Sequence, residues 1–204
     1  GLPIQVKYTL TDIGVPYQVD YLIQNDGSIK TTAAIDLRGK LLPELPRFGM
    51  RMVLNAGFEK VDYYGKGPWE NYNDRNTAAF VGLYTDSVKN LYTNNYMRPQ
   101  ENGYRTDVRW VKVSNGKQSI TVSGNEQPVC FSALHCMAED LDPGLTRKQQ
   151  HQNDVKPRNE TFLHIDLAQR GLGGDNSWFR LPHDAYRLLG NQYSYTYTLQ
   201  LSSE

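Results

Sequence analysis

The stretch Gly171-Leu172-Gly173-Gly174-Asp175-Asn176-Ser177-Trp178 places three glycines and an Asp-Asn pair ahead of one tryptophan. Glycine and Asx residues take up backbone conformations that other residues resist, so this is a loop that carries a large ring. A loop-borne indole offers a flat apolar face, matched to one side of a pyranose ring. The opposite reading is an indole that folds inward and fills the core, as aromatic side chains do in most folds.

Two further segments concentrate polar and aromatic groups. Tyr64-Gly65-Lys66-Gly67-Pro68-Trp69-Glu70-Asn71-Tyr72-Asn73-Asp74-Arg75 contains two close glycines. It lacks the Lys-Ser/Thr of a phosphate-binding loop and the third glycine of a dinucleotide fingerprint, and Pro68 removes a backbone donor. Nucleotide binding is therefore excluded there. Glu70, Asp74 and Arg75 read either as functional groups or as a local ion pair beside a turn. Arg98-Pro99-Gln100-Glu101-Asn102-Gly103-Tyr104-Arg105 supplies a carboxylate, amides and guanidinium groups. Such groups match sugar hydroxyls, which both donate and accept; a buried polar network that stabilises a turn is the alternative.

No catalytic constellation stands out. Glycoside hydrolysis with retention needs two carboxyl groups about 5 Å apart, and no acid here sits in a context that identifies such a pair. No Ser-His-Asp arrangement is evident. His135, His151, His164 and His183 lack metal-ligand spacing. Cys130 and Cys136 share one apolar run; on a strand they lie roughly 20 Å apart, beyond the reach of a disulfide, and read as free thiols.

Composition narrows the class. The chain has 204 residues, with 22 Lys and Arg against 22 Asp and Glu, for a formal charge of +0. That length makes one domain with a real core, and the balance argues against nucleic acid as a partner. No apolar run is long enough to span a bilayer, so no membrane role is expected. A soluble protein of cytoplasm or periplasm is anticipated, with the compartment left open.

The elements that must position these loops are strands. Ile4, Val6, Tyr8 and Leu10 alternate with polar residues, as do Tyr17, Val19, Tyr21 and Ile23. Asn25-Asp26-Gly27 turns the chain back into Ile29 to Leu37, and Ser114-Asn115-Gly116-Lys117 marks a second hairpin. Tyr193, Tyr195, Tyr197, Leu199 and Leu201 form a last strand with an aromatic face. Many short strands between turn signals indicate an all-β antiparallel sandwich or barrel. The best helix signal is Ala78 to Leu91, without a clean apolar stripe. Glu139 to Glu160 reads as a long ordered loop with about one helical turn.

Taken in order, Leu45-Pro46-Arg47-Phe48-Gly49, Tyr64-Gly65-Lys66-Gly67-Pro68 with Glu70-Asn71-Tyr72 and Asp74-Arg75, Pro99-Gln100-Glu101-Asn102-Gly103 with Arg105, and Gly173-Gly174-Asp175 with Ser177-Trp178 resemble the C-terminal, small-chain domain of glycoside hydrolase family 2 β-galactosidases. The resemblance runs from about Leu45 to Leu201. It implies an antiparallel β-supersandwich of the galactose mutarotase type, with residues 1–204 forming the later part of such a domain. It implies that Trp178, with Asp175 and Ser177, meets the substrate at the aglycone sugar. Glu70, Asn71, Asp74, Arg75, Glu101, Asn102, Arg105, Gly173 and Gly174 would organise the loops, with Arg105 bonded to a carboxylate, Glu101 and Asp74 being the first candidates, or to backbone carbonyls.

The catalytic glutamates of the family lie in a separate barrel that nothing here matches, so no catalytic residue and no metal ligand is assigned to this chain. Mg²⁺ and Na⁺ would belong to the parent enzyme. The implied partners are a β-galactoside reached through the parent active site and the parent's remaining domains, and a homo-oligomer is also admitted. Family domains begin further upstream, so an open sheet edge is expected, with self-association or a strand such as Ile4 to Leu10 moved to cap that edge, unless Lys7 and Lys30 act as edge guards. Two other readings stay open: a mutarotase-like aldose epimerase, which needs an acid and a base across one sugar ring, and a freestanding carbohydrate-binding module.

Overall fold

A computed structural model describes residues 1–142, 144, 150–176 and 180–203. It contains twelve strands: β1 (Leu2–Leu10), β2 (Val15–Ile23), β3 (Ile29–Asp36), β4 (Arg47–Leu54), β5 (Lys60–Gly67), β6 (Phe80–Ser87), β7 (Arg105–Val108), β8 (Trp110–Ser114), β9 (Gln118–Gly124), β10 (Val129–Leu134), β11 (Thr161–Gln169) and β12 (Gln192–Ser203). Two single-turn helices join them, α1 (Val88–Leu91) and α2 (Ala138–Leu141).

The strands form an eight-stranded sheet in the order β1-β2-β3-β12-β9-β8-β5-β6 and a four-stranded sheet in the order β4-β11-β10-β7. The ladders between neighbouring strands are antiparallel, as in β1 with β2, β12 with β3 and β10 with β11. The two sheets enclose one main core. Val61, Tyr63, Val111, Val122 and Tyr195 face it from the large sheet; Phe48, Phe131, Leu163 and Ile165 face it from the small one. The Tyr195 hydroxyl donates to the Ile165 carbonyl at 2.9 Å, so one hydrogen bond crosses between the sheets. This is the all-β antiparallel sandwich expected from the period-two patterning, the sandwich rather than the barrel.

The turn chemistry explains the hairpins. Asp26 Oδ1 accepts from the Ser28 backbone at 2.9 Å, closing the β2–β3 turn. Asn115 Oδ1 does the same for Lys117 and Gln118, at 3.0 and 2.8 Å, in the β8–β9 turn.

The helix expected over Ala78–Leu91 is corrected. Phe80–Ser87 is strand β6, paired with β5 in a register that sets Tyr63 against Tyr84 and Gly65 against Gly82. Only Val88–Leu91 is helical, capped by the Ser87 side chain, which accepts from Asn90 at 3.2 Å. Cross-strand packing overrides local propensity here: the Tyr63 and Tyr84 rings lie 5.2 Å apart.

Within Glu139–Glu160 the described residues contain two short helical pieces, the end of α2 and the 3₁₀ turn Gln152–Asp154. Lys30 lies on β3, an interior strand, and guards no edge; Lys7 is on the edge strand β1. The alternating residues Leu2, Ile4, Tyr8 and Leu10 of β1 are exposed. Cys130 and Cys136 are free and buried, and burial pushes both thiols up to about 12.

Candidate functional site

Three loops meet at one end of the sandwich. They follow β5 (residues 68–76), precede β7 (96–104) and follow β11 (170–176). Side chains rather than backbone ladders hold them together.

Asn71 staples the first loop. It is buried, and its amide donates to the carbonyls of Lys66 and Trp69 at 3.1 and 3.0 Å. Its Oδ1 accepts from the Thr106 backbone and hydroxyl at 3.0 and 2.6 Å. Two donors and two lone pairs are thus fully used. Glu70, with its side chain 8% exposed, is a second hub. It accepts from Arg75 Nη2 and from the Gly103 backbone, each at 2.8 Å, and from the hydroxyls of Tyr72 and Tyr96. The backbone of Tyr72 and Arg75 closes reciprocally at 3.1 and 2.8 Å.

A ladder of charged and aromatic planes runs through the loops. Tyr72 and Tyr104 stack at 5.7 Å and 9°. Arg75 covers the outer face of this pair, 5.1 Å from the Tyr72 ring, and Arg47 lies 5.5 Å from the Tyr104 ring.

Asn102 is also buried. It grips Thr93 at both ends, accepting from its N–H at 2.7 Å and donating to its carbonyl at 2.8 Å. Arg105 is 3% exposed. It donates to the carbonyls of Pro68 and Leu91 at 3.0 and 3.5 Å, and neither Glu101 nor Asp74 is its partner. The physical reason is that the end of α1 leaves the Leu91 carbonyl without a helical donor. Glu101 instead pairs with Arg47 at 2.8 Å.

Asp74 turns to the glycine loop. Its Oδ2 accepts from the Gly173 N–H at 2.8 Å, and Asn73 donates to the Gln169 carbonyl at 3.0 Å. The first loop therefore clasps the start of the third. Two glycines are demanded by close approach. A Cβ at Gly171 would meet the Asp74 carboxyl at 2.7 Å, and one at Gly174 would meet the Arg180 carbonyl at 2.2 Å.

Asp175 is exposed and accepts from His183 Nε2 at 2.9 Å and Arg180 Nε at 3.4 Å. Those two hydrogen bonds, His183 first, hold its carboxyl below the usual carboxylate range. Ser177 and Trp178 lie outside the described residues.

The sequence reading did not find the largest hub. Arg47 meets His164 Nδ1 at 3.0 Å, Glu101 at 2.8 Å and Gln169 Oε1 at 2.7 Å, and its Nε stands 3.1 Å from Asp166 Oδ2. His164 Nδ1 accepts here, so the ring is neutral. Burial first, then the charges of Arg47 and Arg51, lower its pKa to about 4. Asp166 is fully buried, and desolvation raises it to about 7 against the pull of Arg47. The available signal was an acid and a histidine inside the apolar strand Thr161–Gln169. Among the described residues no group of three or more His, Cys, Asp or Glu is placed to hold a metal ion. No described helix is long and apolar enough to cross a membrane.

The chain is therefore an antiparallel all-β sandwich whose polar loops are braced against one another by buried side chains. Residues 2–199 match the family described as β-galactosidase small chain, and the chain belongs to that family. It is 32% identical to a β-galactosidase of Priestia megaterium over 199 residues, which is 97% of this chain and 18% of that protein. The β-galactosidases of Staphylococcus xylosus and Pseudoalteromonas haloplanktis are 30% and 32% identical over 89% and 88% of the chain, and over 17% and 16% of their own lengths. The chain thus spans less than a fifth of these relatives.

Proposed function

We propose that this chain is the substrate-shaping domain of a β-galactosidase that hydrolyses terminal β-D-galactosides. It forms one wall of the galactoside pocket, and Trp178, with Asp175 and Ser177, meets the leaving-group sugar. The observation that carries this reading is the double clasp from Asp74 to Gly173 and from Asn73 to the Gln169 carbonyl. It fixes the root of the loop that ends in Trp178. A rigid root means that a stacking ring loses little freedom when a sugar arrives, which is how preorganisation raises affinity. Glu70, Asn71, Asn102 and Arg105 keep the neighbouring loops in place, with Arg75 and Glu101 on the outer side. Catalysis, Mg²⁺ and Na⁺ belong to other domains of the parent polypeptide.

The purified chain is expected to leave a chromogenic β-galactoside intact. Turnover that survives repurification and disappears when an acid of this chain is substituted would overturn the reading.

A further inference from the structure

The two sheets are unequal, eight strands against four. Residues directly opposite in a ladder share a face. Tyr193, Ile35, Tyr17 and Tyr8 make one such row across β12, β3, β2 and β1. The row begins in the core and ends outside it. Ile35 is 7% exposed, Tyr17 is half-buried, and Tyr8 is 46% exposed. Ile4, on the same face of β1, is 42% exposed.

The small sheet stops short of these residues. Its edge strand is β4, paired with β11 on one side and with no strand on the other among the described residues. Phe48 of β4 reaches Tyr17, with ring centroids 6.4 Å apart, and Tyr17 reaches Tyr8 at 5.8 Å. The other inward residues of β4, Met50 and Met52, are only partly buried against the core. Neighbouring strands stand about 4.8 Å apart, so a strand added beside β4 would extend the small sheet over β2 toward β1.

We propose that the free edge of β4 and the open face of β1 and β2 receive one extended strand, in which apolar and polar residues alternate, from the part of the parent polypeptide outside residues 1–204. This rests on the reading of the chain as a domain of a longer β-galactosidase, and adds where another part of that enzyme docks. Both surfaces call for the same occupant. An edge presents unpaired N–H and C=O groups, which a further strand satisfies. The open face presents apolar side chains, which every second residue of that strand would cover. A helix would cover the face and leave the edge unpaired. The site is also continuous with the core between the sheets, so the added strand lengthens an existing interface. The source follows from length: the match to the Priestia megaterium relative takes up 18% of that protein, so most of such a polypeptide lies outside it.

The test compares single cysteine variants of this chain with the same variants of the full-length parent. Maleimide labelling is read at each peptide by mass spectrometry. Cys130 and Cys136 are buried, so the added thiol is the accessible one in this chain. In the chain alone, Ile4→Cys, Tyr8→Cys and Lys7→Cys should label at similar rates. In the parent, Ile4→Cys and Tyr8→Cys should label about tenfold more slowly, while Lys7→Cys, on the opposite face of β1, keeps its rate. Amide exchange on the unpaired side of β4 should also slow about tenfold in the parent. Equal labelling in chain and parent would overturn the proposal. Protected thiols with unchanged β4 exchange would overturn it as well, since the cover would then not be a paired strand. Protection in the chain alone that grows with its concentration would assign the face to a second copy and equally overturn it. Hydrolysis of a chromogenic β-galactoside by the same parent preparation separates the two readings: its absence sinks the proposed function, while the labelling still decides the strand.

Discussion

Glu70 and Arg75 make a pair 2.8 Å apart, but the two residues are not equivalent. The Glu70 side chain is 8% exposed and that of Arg75 56% exposed. Exposed ion pairs contribute about 0–1 kcal/mol, because water screens them and ordering a long side chain costs entropy. The Glu70 carboxylate also receives the Gly103 N–H at 2.8 Å and two tyrosine hydroxyls. Hydrogen bonds to a buried charged acceptor contribute about 1.5–3 kcal/mol each.

Arg75→Gln should therefore lower stability by at most about 1 kcal/mol. Glu70→Gln keeps one acceptor oxygen but turns an amide donor toward either Gly103 or Arg75, so a loss of about 2 kcal/mol follows. Glu70→Ala removes all four partners and should cost about 4 kcal/mol, within the range for breaking a buried charged group's contacts. Urea denaturation of the chain, read by fluorescence, measures all three. Equal losses for Arg75→Gln and Glu70→Ala would mean that the pair, not the buried hub, holds the loops, and would refute this reasoning.

Two other variants probe the network. Asp166 keeps its proton up to about 7 when folded and to 3.8 as a free side chain, so its contribution is complete below 3.8 and is lost as pH rises through 7. Asp166→Asn should consequently gain on the wild type by at most about 4 kcal/mol between pH 4 and 7, measured as the difference of two denaturation series; a pH-independent difference would contradict the burial argument. His164 works in the opposite sense, its share being lost as pH falls from 6.5 toward about 4, so the wild-type curve alone conceals both groups. Gly171→Ala should cost about 1–3 kcal/mol by forcing the new methyl against Asp74, and should speed amide exchange at Gly173; unchanged exchange there would mean that the Asp74 clasp does not restrain the loop.

Much of the fold was written in local chemistry. Asn25-Asp26-Gly27 and Asn115-Gly116 announce their hairpins because each Asx side chain accepts from backbone two residues on. The aromatic face of β12 was equally plain in the alternation of Tyr193, Tyr195 and Tyr197. Strand β6 was not legible, since its identity depends on the ladder with β5 and on Tyr63 against Tyr84, not on its own period. The Arg47 hub was hidden for a similar reason. Its partners Glu101 and His164 lie 54 and 117 residues away, and nothing in Leu45–Gly49 says which of them the guanidinium meets. Asn71 and Asn102 stood within recognisable motifs, yet their task of gripping backbone only became definite once Thr106 and Thr93 were placed beside them.

The central claim is that Trp178 meets the leaving-group sugar, and its most direct test is Trp178→Ala in the parent β-galactosidase. The measurement is the ratio of galactosyl transfer to glucose over transfer to water, taken with the melting temperature. Loss of a stacking contact on the order of 1 kcal/mol predicts a ratio about fivefold lower at an unchanged melting temperature. An unchanged ratio with a large fall in melting temperature would place the indole in the core and contradict the account.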